Sequence, residues 1–180
     1  MKRIVLTFGL IAGAMVSTFM AISMTIMHSN PEWKAGNLSM IIGYLSMIMS
    51  FALIYVAIKT YRDKHLGGTI SFGKAFKLGL LVALIASTMY VLMWALLYNF
   101  VMPDFMERYT QQMLESAKAN STPAQLQAKA AEMDQYKAWY KNPVFFVLLT
   151  YMEILPVGLV VSLITALILK RKRPANVAIA

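Results

Sequence analysis

Residues 144–169 read VFFVLLTYMEILPVGLVVSLITALIL, a run with one charged side chain, Glu153, and one proline, Pro156. At 1.5 Å per residue such a helix is about 39 Å long, enough to cross a hydrocarbon core of about 30 Å with some tilt. No soluble domain needs a helix that is apolar on every face. Asn142-Pro143 precedes the run, at a point where a helix should be interrupted.

Three more runs of this kind lie upstream. One covers about residues 75–101 and is ended by Pro103; one covers about 38–58; one covers about 4–27, behind Lys2 and Arg3. The first resembles a signal peptide at its basic start and at Ala21-Ile22-Ser23, but its apolar stretch is too long and continues past that point. A short polar link with Pro31, Glu32, Trp33 and Lys34 joins the first two, and Trp33 suits an interfacial aromatic belt. The pattern predicts one membrane domain over residues 1–180: an all-α integral membrane four-helix bundle with an extracytoplasmic helical hairpin, residues 103–142, between the third and fourth spans.

Composition agrees. Of 180 residues, 59% are hydrophobic and 14% charged, with a mean hydropathy of +0.60. The net charge of +9 sits in clusters flanking the apolar runs, which points to anionic lipid headgroups at the cytoplasmic face and not to nucleic acid. Lys2, Arg3, Lys59, Arg62, Lys64, Lys74, Lys77, Lys170, Arg171, Lys172 and Arg173 fall on one side; Lys34, Arg108, Lys118, Lys129, Lys137 and Lys141 fall on the other, diluted and balanced by acids. The positive-inside bias places both termini in the cytoplasm, in a bacterial inner membrane, and argues against chains that insert both ways. Without cysteine the chain has no thiolate nucleophile or soft metal ligand. His28 and His65 fall at opposite membrane faces, as ordinary loop residues that cannot share a metal.

The hairpin's helices carry local signals. Asp104 can cap the first; Thr122, Pro123 and Gln125 form a capping box with proline at the first helical position of the second, leaving Asn120-Ser121 as the turn. Phe105, Tyr109 and Met113 recur on one helix and Leu126, Ala130, Met133 and Tyr140 on the other. This hairpin either packs on itself and the outer leaflet or docks a partner.

Small residues recur every fourth position in the first span, Gly9, Gly13, Ser17 and Ala21, and again in the third, Gly79, Ala83 and Ser87. Such stripes allow close backbone approach, so the first span is expected to pack on the third. Gly68-Thr69-Ile70-Ser71-Phe72-Gly73-Lys74-Ala75 approaches a phosphate-binding loop, but Ala75 stands where a hydroxyl is needed and no strand precedes it. The fifteen methionines scatter as lipid-facing filler.

Glu153 lies about ten residues into the fourth span, three before Pro156. An acid at that depth is costly, so it is expected to face the bundle, with Tyr90, Trp94, Tyr98 and Asn99 as partners at similar depth. Pro156 adds a freed carbonyl to the same polar site. Glu153 serves either as a structural hydrogen bond between helices or as a titrating group.

Several stretches together resemble a known family: Phe8-Gly9-Leu10-Ile11-Ala12-Gly13; Ile70-Ser71-Phe72-Gly73-Lys74-Ala75-Phe76-Lys77-Leu78-Gly79; Pro103-Asp104-Phe105; and Pro156-Val157-Gly158-Leu159-Val160-Val161-Ser162-Leu163-Ile164. In order and spacing these resemble the bacterial membrane family catalogued as domain-of-unknown-function family 4199, from Phe8 through Lys170. The resemblance implies four spans with a polar segment before the last, and assigns no activity to any residue. Two functional readings follow. One is a non-enzymatic accessory or scaffold subunit, meeting a membrane-protein partner through the hairpin or its basic faces. The other is a small oligomeric transporter or proton-coupled permease using Glu153. No cofactor is expected, and the spans offer no base with a positioned partner for catalysis.

Overall fold

A computed structural model describes residues 1–30, 37–118 and 121–171. Trp33 and its link, Asn120, and the last basic residues, Lys172 and Arg173, fall outside the described residues. Six α-helices are found among them: α1 (Lys2–Ser29), α2 (Asn37–His65), α3 (Phe72–Leu96), α4 (Phe105–Lys118), α5 (Pro123–Lys141) and α6 (Pro143–Leu169). A π-helical turn, Leu97–Val101, extends α3. Four of these elements are long and apolar enough to cross a membrane: Lys2–Ser29, Met40–His65, Phe72–Val101 and Pro143–Leu169. The chain is thus an all-α, multi-pass membrane protein.

The ends of the spans follow from local chemistry. Ser71 accepts a hydrogen bond from the Lys74 amide at 3.4 Å and so starts α3 three residues before the apolar run. Asn142 accepts from the Val144 amide at 2.9 Å, with Pro143 in the first helical turn of α6. Helix α2 overruns its apolar stretch as far as His65, carrying Lys59, Arg62 and Lys64 beyond the hydrophobic part. His28 and His65 therefore lie in terminal helical turns and not in loops. Between α2 and α3, Gly67 and Gly68 take φ of +60° and +82°. The phosphate-loop-like segment from Gly68 to Ala75 is a turn and helix cap, with one isolated antiparallel bridge, Ile70 to Arg171.

In the bundle α3 packs extensively on both α1 and α6, while α2 touches α1, α6 and, across a short diagonal, α3. On the other diagonal, α1 and α6 make no substantial contact. The first span does lie on the third, although the two small stripes do not meet. A Cβ added at Gly9 would stand 2.9 Å from Ile85 Cβ, and one at Gly13 would stand 3.0 Å from Met89 Cβ, so these α1 glycines lie against larger residues of α3. The α3 stripe turns instead to α2 and α6: an added Cβ on Gly79 would meet Ile54 and Ser162, each at 3.0 Å. Reciprocally, Gly158 of α6 would meet Ala83 Cβ at 2.8 Å. With three neighbours, α3 cannot present one small face to all of them. Ser17 and Ser87 are buried in this packing, and their hydroxyls find no partner among the described residues.

Candidate functional site

The hairpin end of the bundle is built from different residues. There the sparsely contacted diagonal between α1 and α6 opens into a cavity of about 250 Å³. Its walls are Met20 and Met24 of α1, Tyr90 and Trp94 of α3, and Glu153 of α6. Phe105, Met106 and Tyr109 of α4, with Tyr136 and Tyr140 of α5, complete it from the hairpin. The hairpin thus roofs an intramembrane site, which neither reading of its sequence foresaw.

Glu153 stands ten residues below the start of α6, and Tyr90 eleven residues below the end of the π-helical turn. Because the two helices run in opposite directions, these counts set both side chains at one depth, about 15 Å down. The Tyr90 hydroxyl donates to Glu153 Oε1 at 3.3 Å. Tyr90 is itself 5% exposed, whereas Glu153 keeps accessible surface while lining the cavity. None of the four ion pairs among the described residues includes Glu153. One turn away, the proline ring at Pro156 removes the amide that would otherwise bond the Met152 carbonyl.

The predicted companions of Glu153 separate into three groups. Tyr90 bonds it and Trp94, 6% exposed, walls the same cavity. Tyr98 lies behind the wall, with ring centroids 5.1 Å from Phe146, 5.6 Å from Tyr140 and 6.1 Å from Trp94. Asn99 is not part of the site. It stands two residues before the end of the π-helical turn, about 12 Å above Glu153; its position is exposed and its amide donates back to the Ala95 carbonyl at 2.8 Å.

Aromatic packing joins roof to walls. Phe105 meets Trp94 edge-on at 4.9 Å and lies nearly parallel to Tyr109 at 5.9 Å, while Tyr140 meets Phe146 edge-on at 5.5 Å. Burial pushes the Tyr140 hydroxyl up to about 12, with Glu153 adding to the rise and a hydrogen bond from Trp94 opposing it. Burial raises Tyr109 as well. Both phenols are therefore neutral at ordinary pH.

A spacing signal for the roof was present: Phe105 and Tyr109, like Tyr136 and Tyr140, stand four apart and share a helix face. The expectation that methionines are lipid-facing filler holds for exposed Met49 and Met152. It fails for Met102, which is buried, and for Met20 and Met106, which are buried beside the aromatic rings of the cavity, where an unbranched side chain can fill irregular gaps. Asp104 also differs from its expected role as a side-chain cap. Its carboxylate accepts from Arg108 Nε at 2.6 Å and lies 4.0 Å from His28 Nδ1, tying the hairpin to the end of α1.

No curated protein and no solved structure matches the chain. A family model described as "Protein of unknown function (DUF4199)" matches residues 7–171, taking in most of the first span, the other three spans and the hairpin. The residues of the cavity all fall inside that match, and the chain belongs to the DUF4199 family.

Proposed function

We propose that the protein is a small permease that binds a solute in the cavity beside Glu153 and carries it across the bilayer without converting it chemically. One observation carries this reading: an intramembrane acid is turned toward Tyr90 and an open cavity, with no basic side chain in the lining. An acid kept only to join two helices would be sealed by its partners, since an accessible carboxyl in hydrocarbon is costly. One bundle encloses little volume, so the working unit is a homo-oligomer. Proteoliposomes with an entrapped pH dye, challenged with a panel of amines, amino acids and carboxylates, test the reading. Solute-dependent proton flux in wild-type vesicles that is lost in Glu153→Gln supports it; identical responses from both overturn it.

An accessory or scaffold role is the second reading, favoured by a groove of about 500 Å³ between α4 and α5 that includes Leu114, Leu126 and Ala130. If removal of residues 104–141 left every association of the protein unchanged in mild detergent, that role would lose its support.

In either case the basic ends face the cytoplasm and meet anionic headgroups of the inner membrane. Single cysteines report this cleanly in a chain that has none of its own. A Lys137→Cys variant should react with an impermeant maleimide on intact spheroplasts, and Lys64→Cys only after permeabilisation.

A further inference from the structure

The cavity has a particular chemistry. Rings of Tyr90, Trp94, Phe105, Tyr109, Tyr136 and Tyr140 line it, and its only ionisable group other than phenols is a carboxyl. Its volume of about 250 Å³ exceeds the roughly 150 Å³ that accommodates benzene in a protein interior. It falls short of the roughly 300 Å³ at which pockets for drug-sized molecules begin. The occupant is therefore small.

Aromatic faces carry a negative quadrupole and attract cations, most strongly when water is excluded. A carboxylate at the base of such a box supplies the countercharge, and a cation beside it removes the cost of an unpaired charge in the membrane. Anionic solutes are disfavoured by the same two features. Metal ions are poorly served as well, since hard cations take six or more oxygens and the lining offers one carboxyl and scattered phenols. A strongly hydrated ammonium would lose its water to rings that cannot replace every hydrogen bond. An alkylated ammonium, with its charge spread over methyl groups, loses little. Lys129, the lysine beside Tyr109, is already paired with Glu132 at 2.9 Å and adds no strong repulsion at the roof.

We infer that the cavity is a binding site for a small quaternary or alkylated ammonium ion, held by aromatic faces from both the bundle and the hairpin, with Glu153 as counterion. This rests on the reading of the cavity as a solute site and names the solute's class. The roof rings make the hairpin part of the binding site, so it is more than a cover.

The test is equilibrium binding of radiolabelled choline to the full-length purified protein in detergent, with competition by tetramethylammonium and by choline's uncharged carbon isostere. The expected result is saturable binding displaced by tetramethylammonium and not by the isostere. Binding should weaken at least tenfold in Glu153→Gln and in Tyr109→Leu, yet stay within about threefold of wild type in Tyr109→Phe, because the ring face and not the hydroxyl makes the contact. Equal displacement by the isostere, or equal losses in Tyr109→Leu and Tyr109→Phe, would overturn the inference in favour of a merely apolar pocket, and so would undetectable binding of both cations to a monodisperse protein. Cation binding without flux in proteoliposomes would sink the permease and leave the site standing. Glu153-dependent flux of some other solute, with no cation binding, would do the reverse.

Discussion

The two ends of the same bundle are packed by opposite rules. Toward the chain termini, helices approach through Gly79, Ala83, Gly158 and Ser162, with Phe51 and Ile54 filling the space between, and the interior is closely packed. Toward the hairpin, Tyr90, Trp94, Tyr98 and Phe146 hold the helices apart and rings from α4 and α5 cap the opening. Small side chains let backbones meet, whereas rings, which pack at centroid separations of about 4.5–7 Å, keep them apart and leave gaps. One end is suited to rigidity and the other to holding a guest.

That contrast can be broken most severely from the tight end. A Gly158→Val change would drive its Cβ to within 2.8 Å of Ala83 Cβ and 2.9 Å of Phe51 Cζ, and overpacking of this kind costs on the order of 3 kcal/mol. Loss of the monodisperse peak after mild heating in detergent would register it. Gly43→Ala, inside α2 and with nothing within 4 Å of the added atom, should leave the melting temperature unchanged or slightly raised.

At the open end the same scale of change should affect function and spare the fold. Glu153→Gln keeps shape and an acceptor for Tyr90, so its melting temperature is expected within a few degrees of wild type while solute-dependent flux disappears. Tyr90→Phe removes the donor to Glu153 and should cost about 1 kcal/mol in thermal unfolding, since the ring's packing is kept.

The smallest effects belong to the hairpin's local chemistry. The Thr122 hydroxyl accepts from the Gln125 amide while Gln125 Oε1 accepts from the Thr122 amide at 2.9 Å; Thr122→Ala should cost about 1 kcal/mol, confined to α5. Faster hydrogen exchange in the first turn of α5, with α6 unchanged, is the expected signature. For Asp104, partial burial pushes the carboxyl up, but the hydrogen bond and charge of Arg108 outweigh it and hold it below the ordinary carboxylate range. A depressed acid contributes stability that is complete above its unfolded-state value and lost as pH falls through the folded one. The Asp104–Arg108 pair at the start of α4 should therefore hold at neutral pH and loosen only in strong acid, an effect that Asp104→Asn removes from a pH series of exchange measurements.

The sequence by itself determined the four spans, because hydrocarbon thickness converts directly into a count of apolar residues, and runs such as 144–169 leave no other solution. It also determined the α5 start at Thr122-Pro123-Gln125 and the α6 start at Asn142-Pro143, since caps are decided within four residues. Glu153 was legible as the one acid in the apolar runs, and Tyr90 as one of four candidate partners, because depth along two antiparallel helices can be counted. What only the tertiary structure decided is rotation and proximity. Helix α6 shows almost no apolar asymmetry, so apart from Glu153 nothing in its pattern says which face meets α3. The α3 stripe turned to α2 and α6 instead of α1, and residues about fifteen to fifty positions from Glu153 in the chain, among them Tyr136, Tyr140, Phe105 and Tyr109, were folded over it. Spacing along one helix fixes which residues share a face, but which distant face it meets depends on the packing of the whole bundle.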